Sequence, residues 1–107
     1  MVTRRFDVFR NPHPTAARHI PFLMVVQSEL LEDLPTRVVV PLARASAIKG
    51  PAATMLNPRF EIKGIPVVAL TQQIAGVPLE SLRKCETNLE SERDTILRAL
   101  DFLFIGI

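Results

Sequence analysis

Few side chains in this sequence could do covalent chemistry. There is one cysteine, Cys85, two histidines, His13 and His19, and no tryptophan or tyrosine. Cys85 follows Arg83 and Lys84, and adjacent cations favour the nucleophilic thiolate. Without a base beside it, we read it as an inert thiol near a helix start. His13 and His19 stand among prolines and arginines, as exposed imidazoles of a loop. One cysteine and two histidines offer no zinc-ligand spacing. There is no G-x-S-x-G, no phosphate-cradling glycine loop and no H-E-x-x-H. Four glycines leave no room for a dinucleotide fingerprint. Glu29, Glu32 and Asp33 form an acidic segment, read as a solvated loop that suits a basic partner. No catalytic, cofactor or metal-binding residue is assigned.

The strongest candidate for function is apolar. After Asp101 the sequence reads FLFIGI, without a charged side chain. At about 100° per residue, Leu89, Ile96, Leu100, Leu103 and Phe104 share one side of a helix. Ile105 falls among Asp94, Arg98 and Asp101, on the polar side, and Phe102 lies at the boundary. Burying such a side chain is worth roughly 1.5–3 kcal/mol. Apolar groups on a polar face mark a recognition surface. The alternative is that Gly106 ends the helix and lets the tail fold back on its own core.

The elements that position this tail can be placed. Nine prolines, all at or before Pro78, recur about every ten residues. That punctuation favours short strands and turns, and leaves one long helix after it, about residues 88–105. Thr87 and Glu90 have capping-box spacing, and Asp94 and Arg98 are an i,i+4 pair. RRFDVFR alternates, with Phe6 and Val8 opposite Arg5 and Asp7. IPFLMVVQ is apolar on both faces, as a central strand is. RVVVPLA resembles it, with Pro41 near its end. RFEIKGIPVVAL reads as a hairpin turning at Lys63-Gly64, with Pro66 at an edge or bulge. ARASAI and TQQIAG each suit a turn or two of helix.

At 107 residues we expect one domain, residues 1–107, with a barrel over about residues 4–80. A core this thin would gain from a second subunit. The hydrophobic fraction is 48%, yet no apolar run approaches the ~18–20 residues of a membrane span. The start, MVTRRFDVFR, has no apolar signal core. The single cysteine cannot close an internal disulfide. Together these suggest a bacterial cytoplasmic protein with no membrane partner. Net charge is +2, and the arginines are dispersed along the chain, without the stripe usual in phosphate-binding proteins.

Several segments taken together resemble the CcdB family of bacterial toxin–antitoxin toxins: RFDVF, VVQSELL, RVVVPLA, AGVPLESL and the terminal FIGI, in family order from about Arg5 to Ile107. The resemblance implies a mainly β fold with a C-terminal α-helix, a small SH3-like, partly open β-barrel of the CcdB/MazF-like toxin kind. It implies a homodimer that binds the DNA gyrase A subunit and traps gyrase on cleaved DNA. A cognate CcdA-like antitoxin would neutralise it, and operator DNA would be bound only by the toxin–antitoxin complex. The family's target-contacting end is Trp-Gly-Ile. Gly106 and Ile107 match its second and third positions, and Ile105 stands where the Trp is expected. The resemblance therefore makes Ile105, Gly106 and Ile107 the gyrase-binding residues of a non-enzymatic toxin. Two alternatives remain. One is a non-toxic or retargeted relative, suggested by the missing indole. The other is a ribonuclease on the same barrel, for which Arg18, His19, Arg37 and Thr54 are the available side chains, though no spacing selects them.

Overall fold

The computed structural model describes residues 3–50 and 54–106. Proline punctuation has the expected effect on it. Seven strands form one antiparallel sheet: β1 (Asp7–Arg10), β2 (Phe22–Val25), β3 (Thr36–Arg44), β4 (Arg59–Ile62), β5 (Ile65–Ala69), β6 (Ala75–Pro78) and β7 (Cys85–Asn88). One helix, α1 (Arg93–Phe104), follows a 3-10 turn at Glu90–Glu92. The strand order is β4-β5-β3-β2-β1-β7, with β6 paired to β3 off that path. Among the described residues, no helix is long and apolar enough to cross a membrane.

β3 organises the sheet. One edge pairs with β2. The other edge changes partner, from β6 at Thr36–Val39 to β5 at Leu42–Arg44. Pro41 sits at the change, in mid-strand rather than near the end. Its carbonyl accepts the Leu70 N–H at 2.9 Å. A strand residue points its N–H and C=O to the same edge, so the donor that proline lacks falls where no ladder partner runs. The β4–β5 hairpin turns as expected: Lys63 (φ 49°) and Gly64 (φ 82°) are both left-handed, the type I′ geometry that matches strand twist. Pro66 lies just before the stretch of β5 that pairs with β3.

The sheet curls into a partly open half-barrel with two apolar faces. Phe22, Met24, Val40, Leu42, Phe60, Ile62 and Val67 fill the concave side with Phe6 and Val8, and Leu89 and Ile96 close it. Phe9, Leu23, Val25 and Val39 form the other side, covered by Leu82. This is why β2 is apolar at every position. A bulge in β7 sets Val8 opposite Thr87 and Phe9 opposite Cys85, leaving Glu86 as the extra residue. Bulges re-aim a side chain. The Glu86 carboxylate meets Arg10 Nε at 2.7 Å and Lys63 Nζ at 3.0 Å, and its side chain is only 3% exposed. Lys63 belongs to the hairpin at one end of the strand order and Glu86 to the strand at the other. This ion pair spans the seam of the barrel.

Several sequence expectations change. β1 begins at Asp7, not Arg5, because the Asp7 carboxylate accepts the Arg4 N–H at 2.8 Å and closes a turn. Phe6 then enters the core from a left-handed conformation (φ 72°). The sheet continues past residue 80, since β7 pairs with β1. Thr87 lies in β7 and does not cap the helix. Asn88 Oδ1 accepts the Glu90 N–H at 2.7 Å instead. Among the described residues the helix makes an Arg93–Glu90 contact at 3.9 Å rather than the expected Asp94–Arg98 pair. Of the expected inward stripe, Leu89 and Ile96 are buried, and Leu100 packs against the core. Phe104 does not: it is 69% exposed, and Ala99 is buried in the helix instead.

Ile96→Ala is expected to cost about 2–5 kcal/mol in urea denaturation, as a large-to-small core change. Phe104→Ala should cost under about 1 kcal/mol. For Glu86, the hydrogen bond from Lys63 and then that from Arg10 hold the carboxyl below its ordinary value of 4.5, against partial desolvation. A lowered folded pKa stabilises the fold above the unfolded value, and that contribution fades as pH falls through the folded value. Glu86→Gln should therefore lower the Tm at pH 7, with the gap to the parent closing in acid below the ordinary carboxylate range.

Candidate functional site

The helix reaches its end from a fixed start. Asn88 donates from Nδ2 to the Arg5 carbonyl (3.0 Å) and to Asp7 Oδ1 (2.9 Å), while Leu89 N–H donates to the Phe6 carbonyl (3.0 Å). The start of the helical segment is thus tied to the turn that precedes β1. Ile96 and Ala99 then bury one side of α1. Twelve helical residues advance about 18 Å, and with Leu97 and Leu100 also packed on the core they carry the chain to an exposed end at Phe104 and Ile105.

At that end Ile105 closes the helix, its N–H donating to the Asp101 carbonyl at 2.8 Å. Gly106 follows at φ +81°, with its N–H 3.3 Å from the same carbonyl. A Cβ at Gly106 would touch nothing within 4 Å. Glycine is required there by the left-handed backbone, not by space. Ile105 is 65% exposed, beside the exposed Phe104. The helix therefore does end at its glycine, and Ile105 still faces solvent. Ile105 and Gly106 are consecutive at the exposed helix end, and Ile107 falls outside the described residues. The sequence reading missed Phe104, which the helical wheel placed inward.

The family model for CcdB protein matches residues 5–106. The chain belongs to the CcdB family. A comparison with curated proteins finds no significant match.

A second exposed apolar group in this CcdB chain was also missed. Leu30 is 93% exposed, and Leu31 and Leu34 are about half exposed, within the segment read only as acidic. The signal was present in the run ELLEDL. This loop is pinned from beneath by Arg37, which is 4% exposed. Arg37 donates to Thr3 Oγ1 (2.8 Å) and to the carbonyls of Leu34 (2.6 Å), Thr36 (2.9 Å) and Glu32 (2.9 Å). Gln27 adds donors to the Leu31 and Thr36 carbonyls and accepts the Val38 N–H. Leu30 lines a cleft with Arg93 and Glu90, at the opposite end of α1 from Ile105.

The residues available for RNA cleavage do not converge in this CcdB fold. Arg18 and His19 line one cleft. Arg37 is buried elsewhere and spends its donors on carbonyls and a hydroxyl. Thr54 is exposed in a turn outside that cleft. Among the described residues, no group of three His, Cys, Asp or Glu is placed to hold a metal ion.

Cys85 lies in β7, not at a helix start. Its thiol is pushed up from 9.0, first by partial burial and then by the charge and hydrogen bond of Asp7. The neighbouring Arg83 and Lys84 do not offset this. Cys85 should alkylate with iodoacetamide at pH 7–8 more slowly than a free cysteine. A rate equal to or above the free thiol would show that the cations dominate.

Proposed function

We propose that this chain is the toxin of a toxin–antitoxin pair, binding the DNA gyrase A subunit through Ile105, Gly106 and Ile107 and trapping gyrase on cleaved DNA. It acts in the bacterial cytoplasm as a homodimer. A CcdA-like antitoxin neutralises it, and the toxin–antitoxin complex represses its own operon. Membership of the CcdB family supports this reading, and one observation carries it for this chain: a rigid, core-anchored helix ends in two exposed apolar side chains, Phe104 and Ile105.

The mode of action is binding, with no bond made or broken by the toxin. Burying Ile105 and Phe104 against a partner would contribute about 1–2 kcal/mol each at their present exposure. Preorganisation helps, because the helix is already folded and its glycine cap already turned. An indole at position 105 would add area and a donor. Interface hot spots are worth about 2 kcal/mol or more, so isoleucine there weakens binding by roughly 30-fold relative to tryptophan. That substitution also supports the second reading, a non-toxic or retargeted relative.

Expression should arrest growth, with relief from Ile105→Asp and in cells carrying a gyrase A subunit resistant to such toxins. Ile105→Trp should sharpen the arrest. Arrest that persists unchanged in resistant cells removes gyrase as the target. If the parent is harmless and Ile105→Trp is toxic, the chain is a degenerate relative whose docking end is otherwise intact.

A further inference from the structure

The lysines and arginines that look dispersed along the sequence are gathered by the fold. Three clefts adjoin one another through shared residues. Arg18, Arg44 and Lys49 line the first, beside His19. Arg44 continues into the second, where it faces Arg10 and Lys63. Arg10 continues into the third, with Arg83 and Lys84. Arg44 Nε also donates to the Arg18 carbonyl at 3.1 Å, which holds its guanidinium across the first cleft.

The resulting charge separation is large for a chain of net charge +2. Seven of the thirteen cations line these clefts, against two carboxylates, Glu80 and Glu86. That leaves five positive charges along these clefts. The other six cations stand against nine carboxylates, three negative charges over the rest of the molecule. Glu86 is already held by Arg10 and Lys63. Among the described residues, Arg18, Arg44, Lys49, Arg83 and Lys84 enter no ion pair.

We propose that this face binds the phosphate backbone of duplex DNA directly, without reading bases. Duplex DNA carries one charge per about 1.7 Å of axis. A fully acidic extended peptide carries at most one per about 3.3–3.6 Å, so the duplex matches a row of cations better. A single strand is disfavoured for a different reason. Single-strand binders stack bases on exposed aromatic rings. Here Phe6, Phe9, Phe22 and Phe60 are buried, and the other two phenylalanines lie on α1. The residues lining the three clefts lie outside α1, so the proposal does not rest on the gyrase-binding residues.

Fluorescence anisotropy of the purified chain with a labelled 30-base-pair duplex, titrated from 50 to 200 mM salt, tests the proposal. A Kd between about 10⁻⁴ and 10⁻⁶ M near physiological salt is expected, the range of sequence-independent binding. Four or five contacted phosphates give a log–log salt slope of about −4, a loss of roughly 10²-fold across that range. Lys49→Glu with Lys84→Glu should weaken binding at least about 10-fold and flatten the slope by about 2. Arg4→Glu with Arg93→Glu makes the same change in net charge at the cleft beside the helix start, which shares no lining residue with the three basic clefts, and should shift Kd by less than about 3-fold. Equal loss in both double variants would reduce the effect to net charge and overturn the proposal. Absence of binding by the parent at 50 mM salt would also overturn it, as would tighter binding to a single strand. Stronger binding to poly-glutamate than to the duplex would assign the face to an acidic polypeptide instead. The parent's salt slope needs no variant, so a misfolded double variant leaves the test intact.

Discussion

Asn88 bonds to both ends of a chain closure of more than eighty residues. Its amide donates to the Arg5 carbonyl and the Asp7 carboxylate, and its oxygen accepts the Glu90 N–H. Asp7 in turn holds the Arg4 N–H, and Leu89 bonds to Phe6. β7 is thereby seated on β1, Phe6 is turned into the core, and the helix starts over the concave face. The direction of the exposed helical end follows from that knot. Closing about eighty residues costs only about 2 kcal/mol more entropy than closing ten, so a few hydrogen bonds and the burial of Phe6, Leu89 and Ile96 suffice. The dependence of folding speed on such distant contacts is a separate matter, and it favours slow folding.

The same closure explains how a small barrel stays curled while its sheet remains open. Pro41 lets one long strand serve two partners in succession. The bulge at Glu86 then directs a carboxylate across the seam to Lys63, with Arg10 beside it. The cations that this clasp collects belong to a wider basic face. The apolar end of α1 is built from other residues. One small molecule thus carries two kinds of surface on different residues: an apolar one that gains by excluding water, and a charged one that weakens with salt.

Arg37 shows how residue type can mislead. An arginine in a toxin-like barrel invites a catalytic role beside a phosphate. Here it is a buried structural cation whose donors all go to neutral acceptors, and it supports the loop that exposes Leu30. Its chemistry was visible in the sequence. Its commitment to the loop was not, because those acceptors are mostly backbone carbonyls, which no sequence pattern displays.

Local rules were enough for β1 to β5, the Lys63-Gly64 hairpin, the central place of β2, the existence of one terminal helix and the glycine that ends it. In each case the signal is a property of neighbouring residues: alternation, a proline ring, a left-handed glycine. The exposure of Ile105 was legible for the same reason, from helical periodicity. Phe104 was not, because a wheel assigns an angle but cannot say where the core stops along the axis. β6, whose Ala75 and Gly76 were read as part of a helical turn but pair with β3, was decided only by tertiary structure, as were β7, the cap at Asn88 and the clustering of dispersed cations. Each depends on groups far apart in the chain being brought together, and that is set by sheet order and curl rather than by any local spacing.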